Sequence, residues 1–110
     1  MKDFLYYNEL FDLYGDLLTD NERDNFLEYY QEDLSLSEIA ENKNISRSAV
    51  SKTINTVIDK LNNYESKLHM YQMKTKLMEI MKIDDLNRMK EEINKMLDNY
   101  HFSIIVCYTD

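Results

Sequence analysis

Arg47, Ser48, Ser51, Lys52 and Asn55 recur within nine positions and supply a guanidinium, an ammonium, a carboxamide and two small hydroxyls. Such a set donates to phosphate oxygens and to the acceptor-bearing edges of bases, so double-stranded DNA is the partner it implies. Catalysis is not implied. His69 and His101 lie far apart in sequence, Cys107 is the single cysteine, and no HExxH pattern or Gly-rich phosphate loop occurs. The acidic pairs Glu32-Asp33, Asp84-Asp85 and Glu91-Glu92 read as helix caps and solvated faces rather than as an acid and its base. The reading is therefore of a chain that is not an enzyme, with no cofactor and no metal.

Residues so spaced can act together only on one face of a helix, and the flanking sequence specifies that helix and a second one before it. Ser35-Leu36-Ser37-Glu38 is a capping box, in which the hydroxyl and the carboxylate satisfy each other's backbone N–H. Leu36, Ile39 and Ala40 fall on one side of the helix it opens, and Ala40 is small enough for a close crossing. Lys43-Asn44-Ile45 supplies the turn, with Asn tolerant of left-handed backbone geometry. Ile45 is expected to be buried as the plug of the corner. Ser46 then caps a second helix. Its Val50, Ile54, Val57, Ile58 and Leu61 recur at helical spacing and face inward, which leaves the five polar residues outward. Residues 35–62 thus predict a helix-turn-helix whose second member is a recognition helix.

Specific blocks carry a family likeness across Leu17 to Leu68, about half of the 110 residues. They are Leu18-Thr19, Tyr29-Tyr30, the run from Asp33 to Glu41, the run from Ile45 to Val50, and Leu61 with Tyr64-Glu65 and Leu68. In these the chain resembles the YlxM-like family of small bacterial proteins, which is similar in turn to the promoter-recognition region, region 4, of bacterial sigma factors. The resemblance implies an all-α fold and a DNA-binding or regulatory role. It also implies a link to the signal recognition particle pathway, through gene neighbourhood, and so an alternative: an adaptor that binds protein components of that machinery and not DNA.

Composition agrees with helices. A chain with no Pro and one Gly lacks the residues that tight turns between strands require. One helical domain over residues 1–100 is the expectation. Its first helix runs from Asp3 to about Leu13 and ends near Gly15 as C-cap; a second capping box, Thr19 to Glu22, opens a helix with Phe26, Leu27 and Tyr30 inward. Beyond the helix-turn-helix, Val50, Ile54, Val57, Leu61, Tyr64, Leu68, Tyr71, Thr75 and Met78 alternate steps of four and three, a heptad seam along one long helix or two. A last helix, capped by Asp84 or Asp85, presents Leu86, Met89, Ile93, Met96, Leu97 and Tyr100 inward. These amphipathic C-terminal helices, about residues 62–100, predict a homodimer with Leu61, Tyr64, Leu68, Tyr71 and Met78 at its interface. The β-branched tail, residues 101–110, has no strand to pair with; disorder, pairing with its copy in a dimer and extension of the last helix all stay open.

Charge is divided unevenly. Residues 1–42 carry Lys2 and Arg23 against twelve acids, residues 43–83 carry eight bases against three acids, and residues 84–110 carry three bases against six acids. The basic block coincides with the recognition helix, whereas the acidic first third repels phosphate, so DNA binding is expected to be weak and salt-sensitive. An acidic body equally suits a basic protein or ribonucleoprotein. With no apolar stretch near ~20 residues and no signal-peptide pattern, the chain is expected to have no membrane span and to be cytoplasmic. The lone cysteine is consistent with a reducing compartment.

Overall fold

The computed structural model describes residues 3–100. Six helices follow one another: α1 (Phe4–Tyr14), α2 (Asp20–Phe26), α3 (Leu36–Lys43), α4 (Arg47–Leu68), α5 (Met70–Ile80) and α6 (Leu86–Asn99). No strand occurs among the described residues, so the chain is all-α. The helical run read as one domain over 1–100 resolves into two compact units, Met1–Tyr71 and Gln72–Asp110. The β-branched tail, residues 101–110, lies outside the described residues.

Local chemistry sets most boundaries in the first unit. Asp3 caps α1 by accepting from Tyr6 N at 3.1 Å. Both capping boxes are formed: Thr19 and Glu22 exchange hydrogen bonds of 2.9 and 3.2 Å, Ser35 and Glu38 of 3.1 and 3.0 Å. Gly15 is the C-cap of α1, as expected, its N–H donating to Phe11 O. Its backbone is right-handed, φ −56° and ψ −31°, and it opens a 3₁₀ turn, Gly15–Leu17. Glycine also leaves room there, since a Cβ would meet the Phe11 ring at a tight 3.3 Å and the ring would have to give way by a few tenths of an ångström. The helix opened at Thr19 also departs from regularity: after Phe26 it widens into a π-turn, Leu27–Gln31, which ends at a left-handed Asp33, φ 58°. Phe26 stacks on Phe11 at 4.4 Å and on Tyr30 at 4.6 Å, so the widened turn carries an aromatic column.

Helix α4 is the axis of this unit. Helices α1, α2 and α3 all pack on it, and its Val50, Ile54, Val57 and Leu61 are buried with Leu10, Tyr14, Phe26 and Ile39 in one core. The heptad seam is therefore spent within the chain over its first half. Leu61, predicted at a dimer interface, is fully buried here, because the neighbours that cover it are α1 to α3. Tyr64 and Tyr71 also pack against this core, with rings 5.9 Å from Tyr14 and 5.1 Å from Tyr6. Leu68 and Met78 are more than half exposed. Of the two forms the seam allowed, two helices are found: the helix breaks at His69, whose φ is 55°.

Buried polar groups explain where it breaks. The Glu65 carboxylate, 7 % exposed, accepts from the Tyr14 hydroxyl at 2.7 Å and from Tyr71 N at 2.9 Å. Tyr14 Oη in turn accepts from Met70 N at 3.1 Å. Two of the orphan N–H groups at the start of α5 are thereby satisfied from side chains of α1 and α4. Burial, reinforced by the bond to Glu65, pushes the Tyr14 hydroxyl up to about 12. A second polar tie holds α2 to α4, where Lys60 Nζ lies 2.7 Å from Glu22 Oε2. Burial of Glu22 works to raise its pKa, but the hydrogen bond from Lys60 and those from Thr19 outweigh it and hold the carboxyl below its ordinary 4.5.

In the second unit, Asp85 is the cap of α6, accepting from Asn87 N and Arg88 N at 3.0 and 3.4 Å. Glu92 of α6 pairs with Lys76 of α5 at 3.4 Å and with Lys95 at 3.3 Å. Only Ile80 and Met96 are buried there among the described residues.

Two outcomes test these ties. Tyr14→Phe leaves Glu65 and Met70 N short of a partner and should cost about 1–3 kcal/mol in urea unfolding; a loss under about 0.5 kcal/mol would mean the node is replaceable by water. For Glu22 the folded pKa lies below the unfolded one, so its contribution is present above about pH 4.5 and is lost as pH falls through the folded value. Glu22→Gln keeps a cap acceptor but no charge, and its melting temperature relative to the unmodified chain should be lower above that pH and converge only as pH falls through the folded value.

Candidate nucleic-acid interface

The turn between α3 and α4 is closed by the main chain. Asn44 adopts the left-handed conformation, φ 56° and ψ 45°, as its side-chain type predicted. Its N–H donates to Glu41 O at 3.2 Å while Ile45 N donates to Ala40 O at 3.0 Å, the paired pattern of a Schellman motif. Ile45 is nonetheless 45 % exposed, contrary to its expected burial. Backbone bonds already fix the reversal, and Ile39, Ala40 and Val50, all buried, fill the corner in its place. Ser46 then caps α4, accepting from Ala49 N at 3.0 Å.

Burial of one stripe of α4 dictates what the opposite stripe offers. Arg47, Ser48, Lys52 and Asn55 are exposed and Ser51 is half-buried. All five line one shallow polar depression, which Thr56 and Asp59 extend by a further turn. The Thr56 hydroxyl is committed to Lys52 O at 3.0 Å, so it contributes a methyl group more than a donor. Among the described residues neither Arg47 nor Lys52 is engaged in an ion pair, whereas Lys43 and Lys60 are held by Glu28 and Glu22. The two cations at the start of α4 therefore face solvent with no carboxylate at ion-pair distance among the described residues.

Asp59 lines the same depression but is absent from the five residues read off the sequence, although it lies one helical turn beyond Asn55 and its position was legible. An acid there repels phosphate but can accept from a cytosine amino group. Leu61, Tyr64, Leu68, Tyr71 and Met78, expected at a dimer interface, are not among the residues that line this face. A second groove shares Ser51 and Asn55 with it and is walled by Tyr7, Tyr29, Tyr30, Leu36, Ile54 and Ile58. Its aromatic wall comes from α1 and the π-turn, distant in sequence from α4, so no local periodicity joins them.

A capped helix, a left-handed turn and a second helix with a polar outer face define a helix-turn-helix protein. The sequence profile of the UPF0122 family, described as "Putative helix-turn-helix protein, YlxM / p13 like", matches residues 1–100, and the chain belongs to this family. It is 41 % identical over 101 residues to a UPF0122 protein of Desulforamulus reducens, covering 91 % of this chain and 78 % of that one. A UPF0122 protein of Fusobacterium nucleatum is 34 % identical over 101 residues, with 90 % and 96 % covered. One from Staphylococcus epidermidis is 44 % identical over 89 residues, with 80 % and 76 % covered. The family resemblance read from the "LSLSEIA" and "ISRSAV" blocks is thus confirmed. No helix among the described residues is long and apolar enough to cross a membrane.

Placement of the corner yields a paired expectation. Ile45→Asp should shift stability by no more than about 0.5 kcal/mol, as an exposed substitution does. Val50→Asp, at a fully buried site, should leave the chain unfolded because an unpaired buried carboxylate is costly. Equal melting temperatures for the two variants would contradict the packing described here.

Proposed function

We propose that this protein is a DNA-binding regulator that inserts the first three turns of α4 into the major groove of duplex DNA. Arg47 and Lys52 lie against phosphates or guanine edges, and Ser48, Ser51 and Asn55 complete the reading surface. The observation that carries this reading is the common face of these five side chains with two cations unpaired by protein carboxylates. Membership in a family described as helix-turn-helix supports it. Phosphate contacts from the Ser46 end of α4 gain further from the free N–H groups and the positive end of the helix dipole.

The acidic surface favours a second reading, an adaptor that docks on a basic protein or ribonucleoprotein, with the signal recognition particle machinery as its partner. Asp12, Asp16, Asp20, Asp24, Glu38 and Glu41 are all exposed, and Arg23 offsets only Asp16 and Asp20. Such a surface attracts cations and repels phosphate over about a Debye length. It limits DNA affinity without touching the α4 face.

Fluorescence anisotropy on mixed-sequence duplexes separates the two. The DNA reading expects log affinity to fall linearly with log salt concentration, and Arg47→Ala with Lys52→Ala to weaken binding at least about 10-fold and flatten the slope by up to about 2. No duplex binding at low salt, or binding indifferent to the double change, would refute it. Capture of a basic partner that survives both nuclease and the double change would support the adaptor.

A further inference from the structure

The second unit exposes an apolar face that its own two helices do not cover. Leu77, Met78, Met81, Leu86 and Ile93 are between 37 % and 80 % exposed, although each belongs to a helix or to the connection between α5 and α6. On α6 the apolar positions 86, 89, 93, 96, 97 and 100 form one stripe, of which Met96 is buried, Met89, Leu97 and Tyr100 are half-buried, and Leu86 and Ile93 are exposed. A helix with one apolar stripe must bury it against something, and among the described residues α5 and α6 leave Leu77, Met78, Met81, Leu86 and Ile93 outside what they bury.

Charge indicates what the occupant is. Residues 72–100 carry six bases, Lys74, Lys76, Lys82, Arg88, Lys90 and Lys95, against six acids, a net of zero. Residues 1–71 carry seven bases against fourteen acids, a net of −7. A two-fold interface sets a patch against its own copy, so a strongly charged patch repels itself while a neutral one of mixed sign does not. Nucleic acid or a strongly charged protein gains no net attraction at a neutral face. The side chains also suit self-association, since Met78 and Met81 are unbranched and adapt to an imperfectly matched surface.

We infer that a second copy of this chain docks on the α5–α6 face, through Leu77, Met78, Met81, Leu86 and Ile93. This differs from the seam read from the sequence, since Leu61 is core and Tyr64 and Tyr71 are partly committed to it. The dimer forms without DNA. It goes beyond the reading of α4 and stands if that reading fails, while giving two α4 helices a linked presentation if it holds.

Multi-angle light scattering on the full chain without DNA, from low to high micromolar concentration, tests the inference. The mass should rise toward twice 13.3 kDa. Met81→Lys with Leu86→Lys, at positions 80 % and 64 % exposed, should shift the midpoint at least ~10-fold toward higher concentration with helical circular dichroism unchanged. Leu5→Lys, 84 % exposed in the first unit, should dimerise like the unmodified chain. A monomer throughout, or a dimer that survives the double substitution, would overturn the inference, as would equal weakening by Leu5→Lys.

Discussion

The apolar stripe of α4 is the constraint on which the first unit depends. Val50, Ile54, Val57 and Leu61 are buried at once by three other helices, so the rotation of α4 about its own axis is set by the core. Fixing one stripe fixes the opposite one. Arg47, Lys52 and Asn55 are thus held outward, exposed to solvent, by burial on the far side of the helix. Large-to-small changes on the buried stripe cost about 2–5 kcal/mol for Leu or Ile to Ala, a large share of what holds a small domain together. The polar outer face and the core are therefore two sides of one helix and cannot vary independently.

Polar chemistry then decides where that helix stops. A buried carboxylate is costly unless its oxygens are satisfied, and Glu65 finds donors in Tyr14 of α1 and Tyr71 N of α5. Those bonds are available only because the chain leaves the helix at His69 and restarts at Met70. The same arrangement removes Leu61 and Tyr64 from any long coiled coil. Among the described residues of the second unit the logic is reversed: few side chains are fully buried, charges are balanced, and Leu77, Met78, Met81 and Leu86 remain at the surface.

Local signals were legible in the sequence and long-range ones were not. Both capping boxes, the left-handed Asn44, the Ser46 cap and the inward stripe of α4 follow from residue type and spacing within a few positions, and all are present. The polar face of α4 was legible for the same reason, since it is the complement of that stripe. What periodicity could not reveal was which neighbour uses an apolar residue. A heptad pattern looks the same whether another chain or α1 to α3 covers it, so Leu61 read as interface and is core. Ile45 failed differently: an apolar residue at a turn reads as a plug, but main-chain bonds to Ala40 and Glu41 left the corner with nothing for it to fill. Gly15 was legible as the cap of α1, whereas the approach of the Phe11 ring to it is invisible in one dimension. The aromatic groove beside Ser51 and Asn55 depends on the π-turn, which has no sequence signature here.

The central claim is that one face of α4, fixed by the core behind it, meets the partner. Mapping backbone amide shifts by NMR while duplex DNA is titrated in at low salt tests it most directly. The account predicts that the perturbed amides cluster between Ser46 and Asp59, with α1 and the exposed acids of α2 and α3 unmoved. Perturbations centred on the acidic surface, or none at saturating duplex, would contradict it.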